Sequence, residues 1–148
     1  MKKSFLYLLI TFIAFGCKLE ETVMPPIIET LELGYHDSGT VMAGGDLHFD
    51  AEIVAEGRVD VARVEISIKE APQSNGHSEW VADTLYFKYK GLLNVEVHEH
   101  IEVPQNAVAG TYIFRISVVD LFGQLTAVNR VFEVTPFDPD HDDPDDDH

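Results

Sequence analysis

Apolar and polar residues alternate along most of the chain between Ile27 and Thr135. A period of two is typical of half-buried β-strands, and no helical apolar pattern continues for more than about two turns. The alternation therefore predicts seven strands, which lie at Ile27–Leu33, Asp46–Ala55, Val61–Glu70, Glu79–Lys88, Asn94–Val103, Gly110–Asp120 and Ala127–Thr135.

Turn-forming residues separate the predicted strands, as in "MAGGD", "AEGRVD", "APQSNGHS", "PQNAVAG" and "DLFGQ". Glycine, proline, asparagine and aspartate favour such turns for distinct backbone reasons. Seven short strands in about 110 residues are enough for one core, and they are typical of a two-sheet sandwich. We therefore predict an all-β, seven-stranded antiparallel sandwich of the immunoglobulin or fibronectin type over residues 27–136.

The chain begins with "MKKSFLYLLITFIAFGC", which places two lysines before an apolar run that ends at Gly16 and Cys17. The run is short for a membrane span and fits a secretory signal over residues 1–16. A small residue before a lone cysteine resembles a bacterial lipoprotein signal. That resemblance implies cleavage before Cys17, lipidation of Cys17, and a tether over residues 17–26. The alternative is an ordinary signal peptide that leaves a free cysteine.

A lipid anchor at Cys17 would hold the protein on a membrane without a transmembrane helix. The following "KLEET" resembles export signals that send some Bacteroidota lipoproteins to the outer cell face. We therefore expect an outer-membrane lipoprotein that is either periplasmic or surface-exposed. Because Cys17 is the only cysteine, its lipidation would leave no thiol for a disulfide, a thiolate ligand or a nucleophile.

Residues 137–148, "FDPDHDDPDDDH", contain seven aspartates together with His141 and His148. Such a segment buries no core and is predicted to be disordered. It is either a solubilising terminus or a low-affinity cation scavenger. Removing its seven aspartates changes the formal net charge from −16 to −9, so the acidity extends through the domain. Acidity of this kind argues against nucleic-acid binding and is compatible with cation binding.

Four stretches, "GGDLHFDAEIVAEG", "VDVARVEISI", "NVEVHEHIEVP" and "AGTYIFRISVVDLFGQ", resemble an uncharacterised Ig-like lipoprotein domain family of Bacteroidota. The resemblance implies a sandwich fold and an envelope location. It implies no established activity and no catalytic residue.

Three histidines fall on polar faces of predicted strands. In "DLHFDAEIV" the core side is Leu47, Phe49, Ala51 and Ile53, so His48 points outward. In "NVEVHEHIEV" the same argument turns His98 and His100 outward. The second and fifth strands of an Ig-type sandwich are neighbours, which predicts that all three imidazoles share one surface. A register error of one residue would turn His48 into the core.

Imidazoles and carboxylates at this spacing suit Zn²⁺, Cu²⁺ or Ni²⁺. We identify His48, His98 and His100 as candidate metal ligands, with His36 reaching the patch from the "GYHDSG" loop. Possible outer partners that orient the imidazoles are Asp50, Glu52 and Glu96. The alternative is that these histidines are simply solvated, as exposed strand histidines usually are.

The sequence thus favours a non-enzymatic binding module that captures a divalent transition metal, with zinc or copper as the candidate ion. An outer-membrane transporter or another envelope protein is the expected partner besides the membrane. One alternative is an adhesion or glycan-binding module that uses the aromatic residues Trp80, Tyr86, Phe87 and Tyr89. Another is a structural spacer. Ser38 and Ser67 have no matched histidine and acid, so no nucleophilic triad is predicted.

Overall fold

The computed structural model of the chain describes residues 22–69 and 79–140. The predicted signal peptide, the lipidation residue Cys17, and the tail histidines His141 and His148 lie outside the described residues. Glu70, at the end of the third predicted strand, lies outside them as well.

The described residues form eight strands and one short 3-10 turn. The strands are β1 (Ile27–Leu33), β2 (Thr40–Met42), β3 (Asp46–Val54), β4 (Val59–Ile68), β5 (Ala82–Tyr86), β6 (Asn94–Glu102), β7 (Gly110–Asp120) and β8 (Leu125–Thr135), and the turn is Tyr35–Asp37. They make a three-stranded sheet in the order β1-β3-β6 and a five-stranded sheet in the order β2-β8-β7-β4-β5. The described part of the chain is therefore an all-β, two-sheet sandwich.

The predicted count of seven strands is wrong, because β2 adds an eighth, and the sandwich is not purely antiparallel. β2 runs parallel to β8, with Val41 opposite Val134. The chain leaves β1 through Gly34 and Gly39, whose φ angles of 78° and 64° favour glycine, and so crosses from one sheet to the other. Three residues are too few to show an alternation, which is why the apolar pattern does not reveal β2.

The strand predicted over Glu79–Lys88 is observed as the shorter β5, Ala82–Tyr86, because the residues at both predicted ends leave the sheet. Trp80 leaves the sheet and packs its ring 5.9 Å from the Tyr112 ring and 6.1 Å from the Phe132 ring. A turn closed by the Lys90 N–H donating to the Phe87 carbonyl ends β5 on the other side. The other six predicted strands agree with the observed bounds to within two residues at each described end.

The core lies between the sheets and is built by the inward side of each alternating strand. Tyr112, Phe114, Ile116 and Val118 on β7 are at most 1% exposed. The Tyr112 hydroxyl donates to the Val108 carbonyl oxygen at 2.8 Å, four residues upstream. This contact is the tyrosine corner of Ig-like sandwiches.

Candidate metal centre

The register of β3 and β6 decides where the histidines point. His48 lies directly opposite His100, and Asp50 lies opposite His98. Phe49, which lies between His48 and Asp50 on β3, and Val97, which precedes His98 on β6, are at most 2% exposed and face the core. Alternation therefore turns the polar residues outward on adjacent strands of the three-stranded sheet. The predicted neighbouring strands and the predicted outward side of His48 are both found in the structure.

His48, His98 and His100 form the three-histidine cluster. Each offers one ring nitrogen, and these atoms all lie within 4.8 Å of one another. The ring centroids are 4.7 Å apart for His48 and His98, 4.9 Å for His48 and His100, and 5.3 Å for His98 and His100. Three imidazoles from two strands thus converge on one small volume at the surface.

Two aspartates contact the imidazoles of the three-histidine cluster. The Asp50 carboxylate approaches His48 Nε2 at 2.9 Å and His98 Nδ1 at 2.7 Å. The Asp46 carboxylate lies 2.8 Å from His100 Nδ1. A carboxylate at Nδ1 leaves Nε2 of His100 as the nitrogen available to an ion, which is a common arrangement at metal-binding histidines.

The distances suit a tetrahedral ion. With metal–nitrogen bonds of about 2.0–2.1 Å, two ligand nitrogens of a tetrahedral site lie about 3.3 Å apart. His48 Nε2 and His98 Nδ1 are already 3.2 Å apart. Small movements of exposed side chains would bring His100 to the same separation. Asp50 contacts the same two nitrogens, so it lies close enough to serve as a fourth ligand.

The surface around the cluster is acidic. Asp46 pairs with Glu102 and Glu52 pairs with Glu96 on the flanking positions of the same outward face. On the other side of β3, Glu32 of β1 lies opposite Asp50. None of the strands β1, β3 and β6 contains lysine or arginine. The outer face of this sheet therefore presents a negative field that attracts cations.

Glu52 and Glu96 lie one pair beyond Asp50 and His98. With Glu32 and Asp50 they line a shallow depression on the outer face. Among the described residues, neither carboxylate is bonded to an imidazole of the cluster. Glu52 and Glu96 therefore contribute negative charge to the surface near the cluster. The carboxylates that contact the imidazoles are those of Asp46 and Asp50.

His36 lies apart from these residues, in the turn Tyr35–Asp37. Its backbone is left-handed with φ of 52°, and its ring packs 4.1 Å from the Tyr35 ring. Asp37 fixes this turn by accepting from the Leu33 N–H at 3.0 Å and by pairing with Arg130 at 3.0 Å. The N–H bond from Leu33 and the guanidinium of Arg130 lower the pKa of Asp37. Among the described residues, the group of converging ligand atoms consists of His48, His98 and His100. His36 is not part of it, so the expectation that His36 reaches the patch is not met.

The alternation in the sequence predicts Asp50, Glu52 and Glu96 as partners of the imidazoles, but it does not predict Glu32 or the contact between Asp46 and His100. Asp46 continues the outward alternation of β3, so it belongs to the same face. Glu32 is found by applying the same alternation to β1, which is the other neighbour of β3 in this fold. The alternation of apolar and polar residues places both carboxylates on outward faces. Their nearness to the histidines follows only once the pairing of β1, β3 and β6 is known.

The aromatic residues of the predicted fourth strand do not form an exposed strip. Trp80 is 6% exposed and Tyr89 is 9% exposed, so both belong to the core. Tyr86 packs 6.3 Å from Tyr89 and 6.3 Å from Phe49, measured between ring centroids. Phe87 alone is widely exposed, at 61%.

The fold and the cluster define a two-sheet β-sandwich that carries convergent histidines on the outer face of its smaller sheet. The chain belongs to the DUF4625 family, described as a domain of unknown function, whose sequence profile matches residues 15–135. No curated protein shows significant sequence similarity to the chain.

Among solved structures, the chain is similar to a Niemann-Pick type C2 protein from the Japanese carpenter ant, with a TM-score of 0.50 and 8% sequence identity. The match covers 76% of this chain and 95% of that one. At this identity the likeness shows the fold alone. Within the described part of the chain, no helix has the length and apolar character needed to span a bilayer.

Proposed function

We propose that this protein is a lipid-anchored envelope module that captures a divalent transition metal through His48, His98 and His100. The observation that carries the proposal is the convergence of three imidazoles within 4.8 Å on neighbouring strands. A solvated histidine needs no such partners, whereas a metal site needs ligands that converge.

The ligand types select among cations. Ca²⁺ and Mg²⁺ prefer oxygen ligands, while imidazole nitrogens suit Zn²⁺ and Cu²⁺. Three imidazoles with one adjacent carboxylate therefore favour zinc or copper over the hard cations. Binding should weaken as the pH falls, because protons compete with the metal for the same nitrogens.

The cluster is open to solvent. The side chains of His98 and His100 are 64% and 48% exposed, and His48 is 23% exposed. An ion held here would keep coordination positions for water or for a ligand from another protein. Such openness suits a module that collects an ion and passes it to an envelope partner such as an outer-membrane transporter, and it does not suit a closed structural site.

Calorimetric titration with Zn²⁺ and with Cu²⁺ tests the proposal on untagged protein that ends at Asp140, which removes His141, His148 and five of the seven tail aspartates. We expect micromolar or tighter binding with one ion per chain. His98→Ala combined with His100→Ala should abolish this binding. The matched control is His36→Ala, which removes an exposed histidine outside the cluster and should leave the titration unchanged.

Two results would contradict the proposal: no micromolar binding of either ion, or equal binding by the double variant and the unaltered chain. The lipid anchor is tested separately, by mass spectrometry of the protein extracted from bacterial membranes. Acyl chains should be found on Cys17, and Cys17→Ser should yield protein without them. An unmodified thiol at Cys17 would favour the ordinary signal peptide.

A further inference from the structure

One end of the sandwich carries a group of exposed apolar side chains. Leu92 and Leu93 are 46% and 43% exposed, and they precede β6. Leu121 and Phe122 are 50% and 68% exposed, at the turn between β7 and β8. Met24, 55% exposed, lies just before β1. We call these five residues the apolar loop end.

Backbone contacts bring the apolar loop end together around the β3–β4 loop. The Ala55 N–H donates to the Leu93 carbonyl at 2.7 Å. On the other side of the same loop, the Leu121 N–H donates to the Arg58 carbonyl at 2.9 Å. The Met24 N–H donates to the Glu56 carboxylate at 3.2 Å. Three connections and the N-terminal segment therefore meet at a single end of the molecule.

The N-terminal segment is held at this end by further contacts. The Gln124 side-chain amide donates to the Val23 carbonyl at 3.0 Å, and the Thr126 hydroxyl donates to the Pro26 carbonyl. The chain between Cys17 and the domain therefore joins the domain beside the apolar loop end.

From these placements we infer that the apolar loop end rests on the membrane to which Cys17 is anchored, with Leu121 and Phe122 in contact with the lipid. This inference rests on the lipid anchor of the proposed function, and it is independent of metal binding.

The length of the chain between Cys17 and the domain determines which end of the sandwich can face the membrane. Seven residues from Lys18 to Met24 reach at most about 25 Å when fully extended. β7, with 11 residues, runs the length of the sandwich, which is about 36 Å at 3.3 Å per residue. An inverted domain would hold Met24 farther from the lipid surface than the connecting chain can span.

The chemistry of this end fits a lipid surface. Burial of leucine and phenylalanine away from water is favourable, and exposed apolar side chains grouped at one end of a molecule are typical of an interaction site. Arg58 is exposed among them, and its guanidinium donates to the Gly91 carbonyl at 2.8 Å. A cation beside apolar side chains suits the boundary between headgroups and acyl chains.

This orientation has a consequence for the three-histidine cluster. His48 lies six residues before Val54, the β3 residue nearest the membrane, so it stands about 20 Å along the strand from that end. The cluster would then face the aqueous space, away from the lipid.

Fluorescence quenching by brominated lipids tests the inference. Because Cys17 is the only cysteine, the chain from Cys17 onward, which keeps every described residue, can be coupled there to a maleimide lipid. The vesicles contain phosphatidylethanolamine and phosphatidylglycerol, with or without bromine on the acyl chains. The coupling supplies the anchor chemically, so the result does not depend on acylation of Cys17 in the cell.

The probe is Phe122→Trp, and Leu121→Trp is a second probe at the same end. The control is Val81→Trp, because Val81 is 69% exposed and lies at the opposite end beside Ala82. The native Trp80 is buried near Val81 and gives all variants the same background. We expect brominated lipid to reduce the emission of the tryptophan at 122 or 121 and to leave the tryptophan at 81 unchanged.

Equal quenching at both ends, or none at either end with coupling confirmed by mass, would overturn the inference. So would a concentration-dependent dimer of the uncoupled chain together with no quenching at position 122, because a second copy would then be the occupant of this surface.

Discussion

Two aspartates hold the imidazoles of the three-histidine cluster, and their individual contacts can be tested at the scale of single residues. Asp46 bonds to Nδ1 of His100, and Asp50 lies between His48 and His98. A carboxylate that orients an imidazole fixes its tautomer and strengthens it as a ligand. The aspartates therefore matter to metal affinity even where they do not touch the ion.

We predict that Asp46→Asn weakens zinc affinity by roughly 10- to 100-fold, the range typical for loss of such an outer partner. The control is Glu102→Gln. Glu102 lies directly opposite Asp46 and carries the same charge, but among the described contacts its carboxylate does not bond to an imidazole of the cluster. A titration that finds equal losses for both variants would show that the effect is that of net charge and not of the contact with His100.

A second single-residue prediction concerns Tyr89, whose hydroxyl donates to the inward-facing Glu99 at 2.5 Å. Burial raises the pKa of Tyr89, and the bond to Glu99 and its negative charge raise it further. The folded state therefore keeps the phenol proton to higher pH than the unfolded chain does. This contribution to stability is present below about pH 10, the usual pKa of tyrosine, and is lost as the pH rises above it.

Tyr89→Phe should therefore destabilise the fold at neutral pH, and the difference from the unaltered chain should narrow above about pH 10. Urea unfolding at neutral and at alkaline pH measures the difference. Tyr35→Phe is the control, because Tyr35 is 54% exposed. A difference that stays constant across the alkaline range would contradict this account of Tyr89.

At the scale of elements, the turn between β7 and β8 depends on Asp120, which is 1% exposed. Its carboxylate accepts from the N–H groups of Phe122 and Gln124 at 2.9 and 2.8 Å. A Cβ added at Gly57 would lie 2.3 Å from Asp120 Oδ2, so only glycine allows the β3–β4 loop to approach this turn. The two loops pack through a contact that has no room for a methyl group.

Gly57→Ala should therefore destabilise the domain by about 1–3 kcal/mol, the usual cost of overpacking a buried contact. Gly123→Asn provides the comparison, because a Cβ at Gly123 meets nothing within 4 Å and asparagine tolerates its φ of 79°. Urea denaturation should show a much smaller change for Gly123→Asn. Equal stability of Gly57→Ala and the unaltered chain would be inconsistent with the close approach of the two loops.

The elements also show why parts of the structure could be predicted from the sequence and parts could not. β3 and β6 alternate strictly enough to fix which side chains face outward, so His48, His98 and His100 could be placed on one surface. The position of His36 could not be predicted, because it depends on a turn held by Asp37 and Arg130, which are distant in sequence. β2 was missed because its short length shows no periodicity.

At the scale of the whole molecule, charge is distributed unevenly over the two sheets. The outer face of the three-stranded sheet is acidic and has no arginine or lysine on its strands, whereas the five-stranded sheet carries arginines that pair with acids, as in the two bonds from Arg63 to Asp83 at 2.8 and 2.7 Å. An acidic face concentrates cations near the histidines, and this attraction is strongest at low ionic strength. The negative charge of this face attracts cations of every kind, while the imidazole nitrogens favour transition-metal ions among them.

The position of a bound zinc ion in a crystal of the zinc-loaded protein tests the central claim most directly. Anomalous scattering at the zinc edge should place one ion between His48, His98 and His100, with nitrogen ligands at about 2.0–2.1 Å. An ion held only by carboxylates elsewhere on the molecule, with the three imidazoles uncoordinated, would contradict the account.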